Sequence, residues 1–174
     1  MRGIRPAKGS QDTTNETQNQ GVTGYVSDIV DQTTRSKMMA NIKGKNTKPE
    51  VAIRSALHQM GYRFRLHRKD LPGKPDIVLP KYRAVIFVNG CFWHGHFCSL
   101  FKWPKTREEF WRNKILSNRE RDQRNLQRLL DSGWRVCIVW ECSIKNANES
   151  AFQDAVIKVT QWLGGNEVQE EISR

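Results

Sequence analysis

Apolar positions along the chain change their period several times, and each change marks a different element. Val51, Ile53, Ala56 and Leu57 follow Thr47-Lys48-Pro49-Glu50, a capping box with proline in the first turn, and Gly61 closes the run. The box satisfies the orphan amides of a first turn and the apolar residues then share one face, which predicts a helix. Upstream, Met38, Met39 and Ile42 have helical spacing in TRSKMMANIKGKN, with Thr33 or Thr34 able to cap a short, basic helix. Tyr62, Phe64 and Leu66 then alternate with Arg63, Arg65 and His67, the period of a strand with one wet face.

After the turn Leu71-Pro72-Gly73-Lys74-Pro75, the segments Asp76–Leu79 and Ala84–Val88 flank Pro80-Lys81-Tyr82-Arg83. AVIFV has the length and composition of a strand buried on both faces, and the two segments predict a hairpin. A turn centred on residues 81 and 82 sets Asp76 across from Phe87 or Val88. Thr106 and Glu109 suggest another capping box, opening a long helix to about Asp131 that Gly133 ends. RVCIVWEC, residues 135–142, reads as a third apolar strand, and residues 149–163 as a closing helix before Gly164-Gly165. Helices on either side of a small mixed sheet make this an α/β domain over residues 31–165. Residues 1–30, rich in Gln, Thr, Asn and Gly and without Leu or Phe, read as a disordered polar tail. Residues 166–174 read as a C-terminal tail.

Charge narrows the function. The 29 Lys and Arg against 18 Asp and Glu give a net +11 and a pI near 9.8, and residues 31–140 hold 23 of the basic residues against 9 acidic ones. A positive field of that kind attracts a polyanion, and nucleic acid is the commonest one in the cytoplasm. The longest apolar runs, Ala84–Val88 and Val136–Trp140, are five residues each, too short to span a bilayer. With no apolar secretory stretch near the N-terminus, a cytoplasmic location is expected. There, four cysteines favour metal over disulfides.

Candidate chemistry concentrates in Asn89–Cys98, where two cysteines, two histidines and three aromatics occupy ten positions. Thiolates and imidazoles are the ligands zinc prefers, and Cys91, His96 and Cys98 supply three. Cys142, at the carboxyl end of its strand, is the preferred fourth; Cys137, inside an apolar run, is the competitor and reads more simply as a core thiol. His94 is left free to move protons near neutral pH. The hairpin brings Asp76 beside the backbone of Val88, and a carboxylate with a main-chain carbonyl suits Mg²⁺. Together these are the parts of a phosphodiester-cleaving site, with the metal offsetting phosphate charge and His94 as base or acid. Phe92, Trp93 and Trp111 stand in polar surroundings; most such residues pack in a core, but exposed aromatics can wedge between base pairs. The cationic face of the long helix, Arg112 through Arg128, has plain solvation as its simplest reading.

TRSKMMANIKGKNTKPE, LPGKPDIVLPKYRAVIFVNGCFWHGHFC and WRVCIVWEC, in that order between about Thr34 and Cys142, resemble the very short patch repair endonucleases, the Vsr family. The resemblance implies a restriction-endonuclease-like fold and an enzyme that nicks DNA 5′ of the thymine in a T:G mismatch left by deamination of 5-methylcytosine. It implies that Asp76 and the carbonyl of Val88 bind Mg²⁺, that His94 is catalytic, and that Glu50 organises the site through water. Cys91, His96, Cys98 and Cys142 match structural zinc ligands. Phe92, Trp93 and Trp111 match intercalating aromatics, and the basic segment 34–45, with Arg35 and Lys37, matches a helix that lies against DNA. It also implies a monomer on double-stranded DNA, with a repair polymerase or mismatch-repair proteins as further partners.

Two departures stand out. Family members often carry Thr-His where this chain has Val88-Asn89; the valine keeps its carbonyl, but Asn89 cannot accept a proton, which implies slower turnover. AVIFV also lacks the Glu-x-Lys of related nucleases, an absence similar to this family. Two other readings remain: a zinc-stabilised protein that binds distorted DNA without cutting, and a related nuclease with another target.

Overall fold

A computed structural model describes residues 31–40, 44–145 and 147–174; the proposed tail of residues 1–30 lies outside them, as do Ile42 and the side chains of Arg35, Met38 and Met39. Five strands form one mixed sheet in the order β1 (Arg65–Leu66), β2 (Ile77–Leu79), β3 (Ala84–Asn89), β4 (Arg135–Trp140) and β5 (Gln169–Ile172). The β1, β2 and β3 strands run antiparallel; β3, β4 and β5 run parallel. Among the described residues four helices accompany them: α1 (Gln32–Ala40), α2 (Lys48–Gln59), α3 (Glu108–Asp131) and α4 (Glu149–Gly164).

Strand alternation divides the core into two layers. Ile77, Leu79, Ala84, Ile86, Cys137 and Val139 meet Ile53 and Leu57 of α2 and Val156, Val159 and Trp162 of α4. Val78, Val85 and Val136 face the other way, onto Leu126, Leu129 and Leu130 of α3. AVIFV is thus covered on both faces, as its composition requires. The hairpin pairs Ile77 with Ile86, Val78 with Val85 and Leu79 with Ala84, the register that sets Asp76 toward the end of β3. Pro80–Tyr82 turns as one 3-10 unit, and Arg83 leaves it in the left-handed region (φ 46°). The Arg83 guanidinium then donates to the carbonyls of Ser132 (2.8 Å) and Gly133 (2.9 Å), tying the hairpin to the α3–β4 turn.

Several boundaries differ from the sequence expectation. The β1 strand has two residues rather than six, because His67 takes a left-handed backbone (φ 48°) and ends it while Tyr62 and Phe64 pack on the core without ladder bonds. The α1 cap is Asp31, whose carboxylate accepts from Thr34 N at 2.9 Å, so Thr33 and Thr34 fall inside the helix. The Thr106/Glu109 box does not form: left-handed Arg107 precedes α3 and its guanidinium lies 4.5 Å over the Phe110 ring. Residues 166–174 are not a free tail. Their polar sequence hides a sheet-edge strand, β5, in which Ile172 alone is buried and Glu171 accepts from Trp140 Nε1 at 3.2 Å. Among the described residues no helix is long and apolar enough to cross a membrane.

Candidate active site and metal centre

The loop Gly90–Cys98 leaves the carboxyl end of β3 and is wound by its own backbone: His94 N bonds Gly90 O, and His96 N bonds Cys91 O at 3.0 Å. Gly95 makes the sharp reversal (φ 62°), where a Cβ would come within 2.7 Å of Ile115 Cγ2, so only glycine lets the loop sit this close to α3. The reversal sends the two flanking histidines to different partners.

His96 turns toward Cys91, Cys98 and Cys142, and the four ligand atoms lie within 4.8 Å of one another. Cys142 is in the 3-10 turn that follows β4, with its Sγ 3.7 Å from His96 Nδ1. Cys137 lies a layer away in the main core. The His96 ring stacks on Trp140 at 4.3 Å, and burial lowers its pKa, keeping the imidazole in its neutral, metal-binding form. Burial chiefly drives the Cys91 thiol in the opposite direction, above its ordinary value. Three thiols and one imidazole converging on one point, two of them buried and two half-buried, fit a tetrahedral ion of the zinc type.

His94 turns instead toward the sheet's open end. Its Nδ1 lies 2.5 Å from Asp122 Oδ2 of α3; because a carboxylate only accepts, Nδ1 carries the proton and Nε2 is left for chemistry. Asn118, one turn earlier, donates to Trp93 O at 2.9 Å and pins the same loop. Ile115, Asn118 and Asp122 therefore form one stripe of α3 beneath the loop. Asp122 escaped the sequence reading because it sits in a helix dominated by exposed arginines; its spacing from Ile115 and Asn118 was the available signal.

Asp76 faces the same cleft from the start of β2. Its Oδ2 accepts from Val88 N at 2.8 Å, the contact the hairpin register anticipates. Burial pushes its pKa up to about 7; the Val88 bond and the nearby His94 oppose that rise, while Glu50 adds to it. Glu50 is buried in the first turn of α2, accepting from Asn46 N (2.7 Å) and Thr47 Oγ1 (2.8 Å). It therefore serves as cap carboxylate and as a wall of the cleft. A second residue that sequence reasoning passed over, His67, stands between the two acids: Nδ1 is 3.7 Å from Asp76 Oδ1 and Nε2 3.9 Å from Glu50 Oε2. A buried and a half-buried carboxylate without a lysine or arginine in ion-pair distance, among the described residues, fit a divalent cation.

The cleft holding these groups has a volume of about 1160 Å³. Val88, Asn89, Trp93, Asp122 and Glu141 line it, together with Lys45, Lys48, Lys69, Lys74, Lys114 and Arg121. Phe92, Trp93 and Trp111 are half-buried and touch edge to face or tilted, with centroids 5.3 to 6.0 Å apart. They form a cluster rather than three free wedges, since each ring shields the next. The most exposed aromatics nearby are Phe97 (97%), Phe110 (47%) and Trp103 (41%). Lys37 is exposed on α1.

Comparison with known proteins agrees with this architecture. Residues 27–100 match the family described as DNA mismatch endonuclease Vsr. The DNA mismatch endonuclease Vsr of Escherichia coli is 43% identical over 147 residues, covering 84% of this chain and 94% of that protein. The type II nicking enzyme V.XorIIP of Xanthomonas oryzae is 55% identical over 112 residues, 64% of this chain and 82% of the relative. The type II nicking enzyme V.NmeAIP of Neisseria meningitidis is 46% identical over 121 residues, 70% and 86%.

Proposed function

Because the chain belongs to the Vsr family of DNA mismatch endonucleases, we propose that it nicks one strand of duplex DNA 5′ of the thymine in a T:G mismatch left by deamination of 5-methylcytosine. The observation that carries this reading is the meeting of Asp76 and the His94–Asp122 pair in one cleft rimmed by lysine and arginine. The basic rim attracts and positions the phosphate backbone.

Asp76 and the main-chain carbonyl of Val88 are the proposed Mg²⁺ ligands, with Glu50 organising the water around them. When bound, Mg²⁺ supplies positive charge against the negative charge that builds on the scissile phosphate. His94 works from its free Nε2, taking a proton from the attacking water or giving one to the leaving oxygen. Asp122 holds that ring in the required tautomer. Asn89 can donate or accept a hydrogen bond to water but cannot take the proton, so His94 carries the proton transfer. Cys91, His96, Cys98 and Cys142 are the proposed Zn²⁺ ligands, and their task is structural: they hold the loop that presents His94 on one side and Phe92 and Trp93 on the other. Phe92 and Trp93, with Trp111 behind them, are proposed to enter the base stack beside the mismatch, where an unstacked, weakened pair costs least to open. Arg35 and Lys37 are proposed backbone contacts. The endonuclease domain runs from residue 31 through β5, and the enzyme acts as a cytoplasmic monomer on DNA before handing the nick to a polymerase or mismatch-repair proteins.

Strand-labelled duplexes carrying T:G or T:A, in a panel of flanking sequences, test the reading. Mg²⁺-dependent nicking of the thymine strand in T:G alone is expected. Efficient cutting of T:A would identify a nuclease with another target, and selective binding without nicking a recognition protein whose site Asn89 has weakened.

A further inference from the structure

We propose that His67 joins Asp76 as a direct ligand of the cation held at the Glu50–His67–Asp76 cluster, with Glu50 acting through bound water, and that this mixed nitrogen–oxygen site favours first-row divalent ions such as Mn²⁺ over Mg²⁺. This deepens the proposed function and rests on its reading of Asp76 as a cation-binding acid.

Topology places the three residues together. Arg65 pairs with Val78 and Leu66 with Ile77, so His67 and Asp76 are the next positions on the two strands, and His67 N bonds Asp76 O. The first turn of α2 brings Glu50 over the same point. One imidazole nitrogen and one oxygen of each carboxylate lie within 4.8 Å of one another. A cation about 2.2 Å from its ligands separates neighbours by roughly 3.1 to 3.8 Å. The observed 3.7 Å from His67 Nδ1 to Asp76 Oδ1 is close to that spacing and too long for a hydrogen bond, while the other ring nitrogen, Nε2, lies 3.5 Å from Asn46 Oδ1 and 3.9 Å from Glu50 Oε2 and is not shared with the ion.

Lone pairs are available for it. Asp76 Oδ2 is engaged by Val88 N, which leaves Oδ1 facing His67. Glu50 accepts one bond on each oxygen and keeps capacity on both. Mg²⁺ takes oxygen ligands and gives up water reluctantly, whereas first-row transition ions accept imidazole readily. A nitrogen in this position therefore biases the site away from Mg²⁺, with water and phosphate oxygens completing the coordination.

The test uses the full-length, zinc-loaded protein with Mn²⁺ as the probe and electron spin-echo modulation as the readout. Modulation from a directly bound ¹⁴N nucleus is expected in the wild type and should change to the ¹⁵N pattern when histidine is ¹⁵N-labelled, a readout independent of any substitution. His67→Asn, chosen because asparagine tolerates the left-handed backbone, should abolish the nitrogen signal and weaken Mn²⁺ binding about tenfold or more while changing Mg²⁺ binding less than about threefold. Bound Mn²⁺ without nitrogen modulation, or modulation that persists in His67→Asn, overturns the His67 assignment and leaves the Asp76 reading standing. Undiminished Mn²⁺ binding in Asp76→Asn overturns the Asp76 reading and this proposal with it.

Discussion

The two clusters on either side of the Gly90–Cys98 loop differ in chemistry and in enclosure. Cys91, His96, Cys98 and Cys142 present three thiols and an imidazole, with Cys91 and Cys142 almost fully buried, His96 and Cys98 half-buried, and Trp140 stacked on the histidine. Glu50, His67 and Asp76 present mostly hard oxygens at the wall of an open cleft. The first can satisfy an ion completely; the second leaves coordination positions for water and phosphate. On the proposed function, stability belongs to one cluster and chemistry to the other, and the loop between them fixes His94 and His96 on opposite sides of Gly95.

Removing a ligand from the thiol cluster should have the largest effect. Cys142→Ser is expected to lose the bound metal and several kcal/mol of stability, since structural zinc contributes on the order of 10 kcal/mol to small folds. Metal analysis and thermal unfolding check this, with Cys137→Ser as the comparison that keeps its metal; retained metal in Cys142→Ser would break the contrast. A middle-sized effect belongs to the open side. Asp122→Asn should lower nicking by about 10²-fold with little change in DNA affinity, because the amide no longer fixes the His94 tautomer. Single-turnover nicking and binding measured on one duplex separate the two quantities.

Trp93→Ala should reduce the preference for mismatched over matched DNA by about tenfold, as loss of a stacking contact predicts. Equal loss on both duplexes would reassign Trp93 to structural packing. The smallest effect is on stability without Mg²⁺ or Mn²⁺. Asp76 holds its proton more tightly folded, near 7, than unfolded, near 3.8. Its contribution to stability is therefore fully present below pH 3.8 and is lost as pH rises through 7. Between pH 8 and pH 6 the zinc-loaded protein should gain about 1 kcal/mol that Asp76→Asn does not, measured by denaturant unfolding.

The same two regions differ in how far the sequence reveals them. Three residues of the thiol cluster fall within eight positions, and the chemistry of cysteine and histidine singles them out without a fold. Cys142 required one structural step, the recognition that ligands gather where strands end. Asp76 needed the hairpin register, which the Pro80–Arg83 turn and the apolar AVIFV run define well. Asp122 and His67 were hidden for physical reasons. Asp122 lies on the buried stripe of a helix whose charges otherwise face solvent, and His67 reads as the wet position of an alternating strand until its left-handed backbone ends that strand. The β5 strand was hidden too, because an edge position buries one side chain and tolerates glutamates at the rest.

The most direct test of the central claim compares wild type and Asp76→Ala on one T:G duplex, following nicking and binding together in Mg²⁺. Nicking is expected to fall by on the order of 10³-fold or more while binding stays within about twofold, because one carboxylate anchors the chemistry and the basic rim and aromatics hold the DNA. Nicking by Asp76→Ala at the wild-type rate would contradict that claim.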